Sequence, residues 1–137
     1  MATNETFRAA DFLSLPVPSG TKAGDPLRIG GLNVVAVTDR ANTSVSPTND
    51  NGTTNASYNW GGGNPDGNAS CWLVGAHDFT VDFAVASVGT PIYIDDSGDL
   101  TTDADDGGSP ATAYDLYGHA LSTKASTAGP LTVRIAN

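Results

Sequence analysis

The sequence is poor in charged residues, and positively charged ones are the scarcest. Charged residues make up 15% of the 137 residues, with six Lys and Arg against fifteen Asp and Glu, for a formal net charge of −9. The basic residues are also dispersed along the chain: Arg8, Lys22, Arg28, Arg40, Lys124 and Arg134. A protein that neutralises nucleic-acid phosphates needs clustered cations. Nucleic acid is therefore not an expected partner.

Cysteine is almost absent, since Cys71 is the single one. One cysteine excludes a disulfide within the chain. The Cys71 thiol could be reactive or could bridge to a second copy of the chain. The alternative is a small, half-buried apolar residue beside Trp72, because free cysteine commonly behaves as a small hydrophobic side chain.

Long apolar runs are missing as well. The first ten residues contain Glu5 and Arg8 and no apolar run, so a signal peptide is not expected. No stretch approaches the ~20 consecutive apolar residues that a membrane span needs. These features predict a protein that is made in and stays in a cytoplasm, without a membrane partner.

Alternating apolar residues recur along the chain, whereas the periodicity of an amphipathic helix is not found. The clearest alternation runs from His77 to Val85, with Phe79, Val81, Phe83 and Val85 on one face. Such a pattern is typical of a strand with one buried and one solvated face.

Shorter alternations predict further strands, which lie around Leu27 and Ile29, Val35 and Val37, Ile92 and Ile94, Gly118–Leu121, and Leu131–Ile135. Leu13, Leu15 and Val17 also alternate, but Pro16 and Pro18 restrict this segment to a sheet edge or an extended arm. Asp95–Asp99 has the composition of a hairpin turn. We predict a single all-β domain over residues 1–137, a small compact β-barrel or sandwich of SH3-like or β-tulip-like form.

Residues 46–70 differ in kind, because Asn, Gly, Thr and Ser dominate and apolar side chains are nearly absent apart from Tyr58 and Trp60. Such a composition buries too little surface to offset its ordering entropy. We therefore predict a long surface loop. Trp60 either anchors this loop on a neighbouring molecule or packs back on its own domain.

Residues that could carry chemistry do not form a recognisable site. His77, His119 and Cys71 lack zinc-type spacing. The acidic cluster lacks the Glu and the Gly position of a calcium loop, so solvated turns are expected: Asp95, Asp96, Asp99, Asp103, Asp105 and Asp106. Ser19–Lys22 only superficially resembles a phosphate-binding loop, and neither a G-x-S-x-G motif nor a glycosidase carboxylate pair is apparent. No catalytic, metal or cofactor site is predicted.

Seven short segments, taken together, resemble a family of tailed-phage capsid decoration (cement) proteins. They are Thr6–Arg8, Leu15–Gly20, Ala23–Leu32, Gly89–Ile94 with Gly98–Thr101, Tyr117–Leu121, and Leu131–Ile135. The family was long described as a domain of unknown function, and its members sometimes carry a RecA/RadA recombinase label. The chain departs from the family pattern in the 46–70 insertion and in Val34-Val35, where a glycine is expected.

The resemblance implies a non-enzymatic virion protein that is made in the bacterial host cytoplasm. It implies binding to the major capsid protein on the outer surface of an assembled shell, often as a homotrimer, which stabilises the particle. The recombinase label has no support, because the phosphate-binding loop it would require is missing. An acidic chain without disulfides suits both the exterior of a DNA-filled shell and assembly in a cytoplasm.

Residues 1–12 are expected to form an N-terminal arm that orders on the shell. Phe7, Arg8, Phe12 and Leu13 are the candidate capsid contacts, since an arm that adds a strand to a neighbour is an established binding mode. The alternative is a frayed terminus whose aromatic side chains fold back on their own domain.

The alternative function is a carbohydrate- or host-surface-binding module displayed on the capsid. In that case Tyr58 and Trp60, with Trp72 and the surrounding asparagines, would form a stacking platform for sugars.

Overall fold

The computed structural model describes residues 10–137, and these residues form two antiparallel sheets, one of them curled into a half-barrel. The four-stranded sheet has the order β1-β4-β3-β2, and the five-stranded sheet has the order β5-β9-β8-β6-β7. The strands are β1 Phe12–Pro16, β2 Pro26–Ile29, β3 Leu32–Ala36, β4 Asn68–Trp72, β5 Ala76–Val81, β6 Pro91–Ile94, β7 Leu100–Thr101, β8 Asp115–Ala120 and β9 Gly129–Ile135. The predicted all-β class is confirmed.

Several predicted strands appear with different ends. The strand expected over His77–Val85 pairs regularly only as far as Val81, which lies opposite Gly129 at the start of β9. Beyond that point the partner strand has ended, and Val85 instead forms an isolated bridge with Lys124. The strand expected to start at Gly118 begins three residues earlier, at Asp115.

The predicted facing holds for Phe79, Val81, Phe83 and Val85, but Val37, predicted to alternate with Val35, lies beyond the end of β3 and is 41% exposed. Two apolar clusters occupy the inner surfaces. The first cluster lies mainly on the five-stranded sheet and contains Val35, Phe79, Val85, Ile92, Ile94, Tyr117, Ala120, Leu131, Val133 and Ile135, flanked by Val81, Phe83 and Leu100. The second lies on the four-stranded sheet and contains Val17, Val34, Ala69, Cys71 and Leu73, flanked by Leu13, Leu15, Leu27 and Ile29. β3 contributes to both, so the four-stranded sheet is covered on both faces along that strand.

Polar groups of β3 tie the two sheets together. The Tyr117 hydroxyl, from β8, donates a hydrogen bond to the carbonyl oxygen of Val34 (2.7 Å). The buried Asn33 amide nitrogen donates to the carbonyl oxygens of Leu116 (2.8 Å) and Ala136 (2.6 Å). The Asn137 side chain in turn accepts from the Asn33 backbone N–H and donates to the Asn33 carbonyl oxygen. The junction therefore combines apolar packing with satisfied buried polar groups.

Two predictions about the four-stranded sheet are settled by its topology. Most of the proline-containing segment Leu13–Val17 lies in β1, which spans Phe12–Pro16 and is at the sheet edge, as expected. The surface loop predicted over 46–70 is wrong at its end, because Asn68 begins β4, which lies between β1 and β3. The inward residues of β4 are the small Ala69 and Cys71, so its apolar alternation is weak in the sequence.

Residues 37–67, which connect β3 to β4 and include the rest of that segment, form an ordered excursion from the sheet that is closed at its base. Asn42 and Asn59 exchange both backbone hydrogen bonds. At its tip, the Asn49 N–H donates to the Thr53 carbonyl oxygen and the Gly52 N–H donates to the Asn49 carbonyl oxygen. Asparagine side chains make hydrogen bonds to many of the remaining backbone groups. These bonds order the segment although it has almost no apolar side chains to bury.

Candidate docking surface

An exposed aromatic pair marks the free edge of the four-stranded sheet. Phe12 on β1 lies directly opposite Trp72 on β4, with ring centroids 4.6 Å apart and a tilt of 51° between the ring planes. Phe12 is 43% exposed and Trp72 is 40% exposed. Val35 lies opposite Trp72 on the next strand and is buried in the first cluster. The pair therefore extends the junction between the sheets outward to the surface.

The strand that carries Phe12 offers backbone groups as well as an aromatic ring. Within residues 10–137, β1 pairs with β4 on one side and has no partner strand on the other. Leu13 turns inward and packs against the second cluster, so its part in a contact would be to fix the strand. The other two candidate capsid contacts, Phe7 and Arg8, lie outside the described residues.

Trp60 and Tyr58, the candidate contacts of the excursion, lie apart from this pair. Trp60 is 64% exposed, whereas Tyr58 is half-buried and donates its backbone N–H to the carbonyl oxygen of Asn55. The ring pairs of the described chain are Phe12 with Trp72 and Phe79 with Tyr117. Trp72 thus contacts Phe12 in a tilted arrangement, and among the described residues neither Trp60 nor Tyr58 forms a ring pair with it.

The acidic residues surround two neighbouring clefts. A cleft of about 540 Å³ between the β2 region and the β6–β7 turn is lined by Asp25, Asp95, Asp96, Asp99 and Asp115, together with Arg28. Arg28 Nε lies 2.9 Å from an Asp115 carboxylate oxygen, and Arg28 also donates to the Asn33 side chain. A second cleft of about 440 Å³ is lined by Asp103, Asp105 and Asp106.

Four of these eight carboxylates accept backbone N–H groups of their own turns: Asp25, Asp95, Asp105 and Asp106. Asp95 accepts the backbone N–H groups of Ser97 and Asp99, and Asp106 accepts those of Gly108 and Thr112. The Thr112 hydrogen bond, followed by that of Gly108, lowers the pKa of Asp106. The clefts therefore are turns held in shape by their carboxylates, with a strongly negative outward surface.

A small hydrogen-bonded node around Asp39 fixes the base of the excursion and leads to a pH prediction. Asp39 accepts the Ala23 backbone N–H (2.8 Å), pairs with Lys22 Nζ (3.0 Å) and accepts the Asn59 amide (3.1 Å). These contacts, the Ala23 hydrogen bond first, lower the pKa of Asp39. A lowered folded-state pKa contributes stability above the unfolded-state pKa, and this stability is lost as the pH falls through the folded-state value.

We therefore expect the Asp39→Asn variant to have a lower melting temperature than wild type at pH 6, and the difference to shrink by pH 2–3. Thermal unfolding followed by circular dichroism measures the melting temperatures of both proteins at each pH across this range. Asp82→Asn, an exposed carboxylate just beyond β5, serves as the control. A difference between wild type and Asp39→Asn that stays constant with pH would contradict the role given to the Asp39 charge.

The residues expected to carry chemistry are dispersed. His77 Nε2 is hydrogen-bonded to the Val74 carbonyl oxygen, and burial raises the pKa of the Cys71 thiol, which is enclosed in the second cluster. Within residues 10–137, no group of three or more His, Cys, Asp or Glu side chains is placed to hold a metal ion. The Ser19–Lys22 segment is a turn that leads to β2, which agrees with its interpretation as a turn.

Among the exposed apolar side chains of the described residues, the aromatic ones are the Phe12–Trp72 pair on the sheet edge and Trp60. The other large ones are aliphatic: Leu32, Val37, Val74, Val88, Leu116 and Leu121. Sequence reasoning named Phe12 but could not pair it with Trp72, since the β1–β4 register was unknown. No helix of residues 10–137 is long and apolar enough to cross a membrane. No protein-family model, curated protein or solved structure matches the chain.

Proposed function

We propose that this chain is a non-enzymatic decoration protein that binds the outer surface of an assembled tailed-phage capsid and stabilises it. Its partner would be the major capsid protein, and it would act as a homotrimer on the shell after synthesis in the bacterial host cytoplasm. The observation that carries the proposal is the open β1 edge with the exposed Phe12–Trp72 pair. The sequence resemblance supplies the class of partner.

The open edge suits docking by strand addition. A partner strand can pair with the backbone groups of β1 that face away from β4, while apolar side chains beside it supply most of the binding energy. Phe12 and Trp72 are already in contact with each other, so little side-chain freedom is lost when a partner covers them. Because Leu13 anchors the same strand in the second cluster, a load on the edge is transferred to the core.

The charge distribution favours the outside of a shell over its inside. Packaged DNA repels an acidic chain, and fifteen acidic residues against six basic ones give a net charge of −9. The carboxylates of the two clefts line concave surfaces beside β2 and the β6–β7 turn, and neither β1 nor β4 contributes to that lining. Their mutual repulsion would keep unbound copies dispersed until a shell captures them.

Co-sedimentation with expanded, DNA-free capsids of the encoding phage tests the proposal. We expect saturable binding by the wild type and at least about a 30-fold rise in Kd for Trp72→Ala, since a central aromatic anchor is worth about 2 kcal/mol or more. A chain lacking Met1–Ala10 tests the predicted arm separately. Loss of binding in that truncation would place further contacts in the arm.

Leu121→Ala is the matched control, because Leu121 is similarly exposed (44%) but follows β8 in the other sheet. It should bind shells with wild-type affinity. Melting temperatures of all variants verify folding before the binding is compared. Absence of wild-type binding to the shells would exclude the decoration function. Binding that is equally strong in Trp72→Ala would exclude the aromatic pair as the anchor.

A further inference from the structure

The most exposed large apolar side chain of the described residues is Trp60, which stands at the start of a turn made of three consecutive glycines. Gly61, Gly62 and Gly63 have φ values of 57°, 68° and 84°. Side chains other than glycine rarely adopt this left-handed region, least of all in succession. The conformation of this turn therefore depends on having glycine at all three positions.

Close contacts fix this turn on the sheet. A Cβ on Gly61 would overlap the buried Ala41, and one on Gly62 would lie 2.9 Å from the Thr38 methyl group. The backbone of the turn therefore packs directly against its support. Three atoms of the Trp60 six-membered ring lie 3.4–3.9 Å from the Cβ position of Gly63, so the ring rests against the turn it precedes.

Asparagine amides hold both ends of the turn. The Asn64 amide nitrogen donates toward the Gly61 carbonyl oxygen (2.7 Å), the Ser70 hydroxyl (3.0 Å) and the Thr38 hydroxyl (3.3 Å). On the other side, the Asn59 side-chain oxygen accepts the Gly61 N–H (2.7 Å). The turn that carries Trp60 is thus held by amides and hydroxyls, and the indole lies against Gly63 of that turn.

We propose that Trp60 is the stacking platform of a binding site for neutral saccharides. One face of a pyranose ring presents weakly positive C–H groups that suit the negative face of an indole. The rim of the same sugar presents hydroxyls, which suit the polar groups that Asn59, Asn64 and Ser70 have left after making the bonds above: the second Asn59 amide hydrogen, the Asn64 side-chain oxygen and the Ser70 hydroxyl hydrogen. Because the turn holds the indole in place beforehand, binding costs little conformational entropy.

The charge of the protein decides the class of saccharide. With a net charge of −9, the surface repels uronic acids, sialic acids and sulfated sugars. A protein partner is less well suited, because binding anchors in protein interfaces are typically surrounded by further side chains that exclude water. The supports of Trp60 are instead small and polar. This site is independent of the proposed shell contact at Phe12 and Trp72.

Titration of the full chain with soluble hexaoses tests the site. The neutral probes are malto-, cello-, xylo-, manno- and chito-hexaose, the last with N-acetylated units. A hyaluronan hexasaccharide is the anionic probe for comparison. Binding is followed by tryptophan fluorescence and by backbone amide shifts of Gly63 and Asn64. We expect a saturable response to at least one neutral hexaose with a Kd of roughly 0.1–5 mM, as is reasonable for one stacking contact.

The variants separate Trp60 from the other tryptophan and from the shell. Trp60→Ala should raise the Kd about tenfold or more, Trp60→Phe by only a few-fold, and Trp72→Phe should leave it unchanged. Shell co-sedimentation should be unaffected in Trp60→Ala. The proposal is overturned by no saturable response to any neutral hexaose up to about 10 mM, by a preference for hyaluronan, by unchanged binding in Trp60→Ala, or by loss of shell binding in that variant.

Discussion

We expect Gly118→Ala to destabilise the protein by about 4 kcal/mol, a large part of the 5–15 kcal/mol typical of a domain. Gly118 is buried in β8 and lies opposite Ile92 on one side and Ile135 on the other. A Cβ at this position would overlap the carbonyl oxygen of Arg134. Since that oxygen belongs to the backbone of β9, it cannot rotate away as a side chain would, and the strands must separate.

Urea denaturation followed by circular dichroism measures this loss, which corresponds to a fall in melting temperature of roughly 10–15 °C. Gly31→Ala is the matched control, because no atom lies within 4 Å of its Cβ position and its φ is not positive. That variant should stay within about 0.5 kcal/mol of wild type. If Gly118→Ala were as stable as Gly31→Ala, the close approach of β8 and β9 would have no energetic weight.

The second large effect is expected at the junction of the sheets, where Asn33→Ala should cost about 3 kcal/mol. The side chain is 2% exposed, and its amide nitrogen satisfies the carbonyl oxygens of Leu116 and Ala136. Its side-chain oxygen accepts from Arg28. Removal leaves two carbonyl groups at the sheet junction without the donor that the buried Asn33 supplies, and each group left unsatisfied costs about 1–3 kcal/mol. The two sheets lose a polar link that apolar packing cannot replace.

Asn49→Ala provides the comparison, because the Asn49 amide also makes two hydrogen bonds, to the Thr53 hydroxyl and the Thr54 carbonyl oxygen, but on an exposed turn. Water can replace those bonds, so the expected change is within about 0.5 kcal/mol. The free energies of unfolding of both variants, measured in urea, decide the matter. Equal losses in the two variants would show that burial of the Asn33 links does not matter.

Strands with one covered face could be predicted from the sequence. β5 and β9 alternate large apolar residues with polar ones, as with Phe79 beside Asp78 and Thr80, and this alternation reflects one buried face. Pro16 and Pro18 indicated an edge strand, and β1, which ends at Pro16, lies at the sheet edge. The strand ends were less predictable, since Val81 ends β5 only because its partner strand begins at Gly129.

Strands with small inward residues or two covered faces could not be read in this way. In β4 the buried positions are Ala69 and Cys71. Their side chains are as small as most of those in the polar loop before them, so they do not stand out in the sequence. In β3 four consecutive residues, Asn33–Ala36, are buried because neighbouring elements cover both faces. A buried asparagine such as Asn33 looks like a turn residue until its partners more than 80 positions away are known.

The candidate surface was predictable only in its parts. Phe12 and Trp60 stand out as aromatic residues in polar surroundings, and both are exposed in the fold. The contact of Phe12 with Trp72 depends on a register between strands 60 positions apart, for which the sequence has no local signal. The support of Trp60 depends on Ala41 and Thr38, which become its neighbours only when the excursion closes.

The hydrogen-bonded tip of the excursion also bears on the chemical ageing of the protein. Asn51-Gly52 is the pair of residue types most prone to deamidation, in which the Gly52 backbone nitrogen attacks the Asn51 amide carbon and expels ammonia. In the folded chain the Gly52 N–H is engaged by the Asn49 carbonyl oxygen, and the Asn51 side-chain oxygen is held by the Thr53 N–H and hydroxyl. These bonds keep the nucleophile and the amide from meeting. An intact tip turn therefore protects Asn51 over long storage, and local opening of the turn sets how fast one more negative charge is added to each copy.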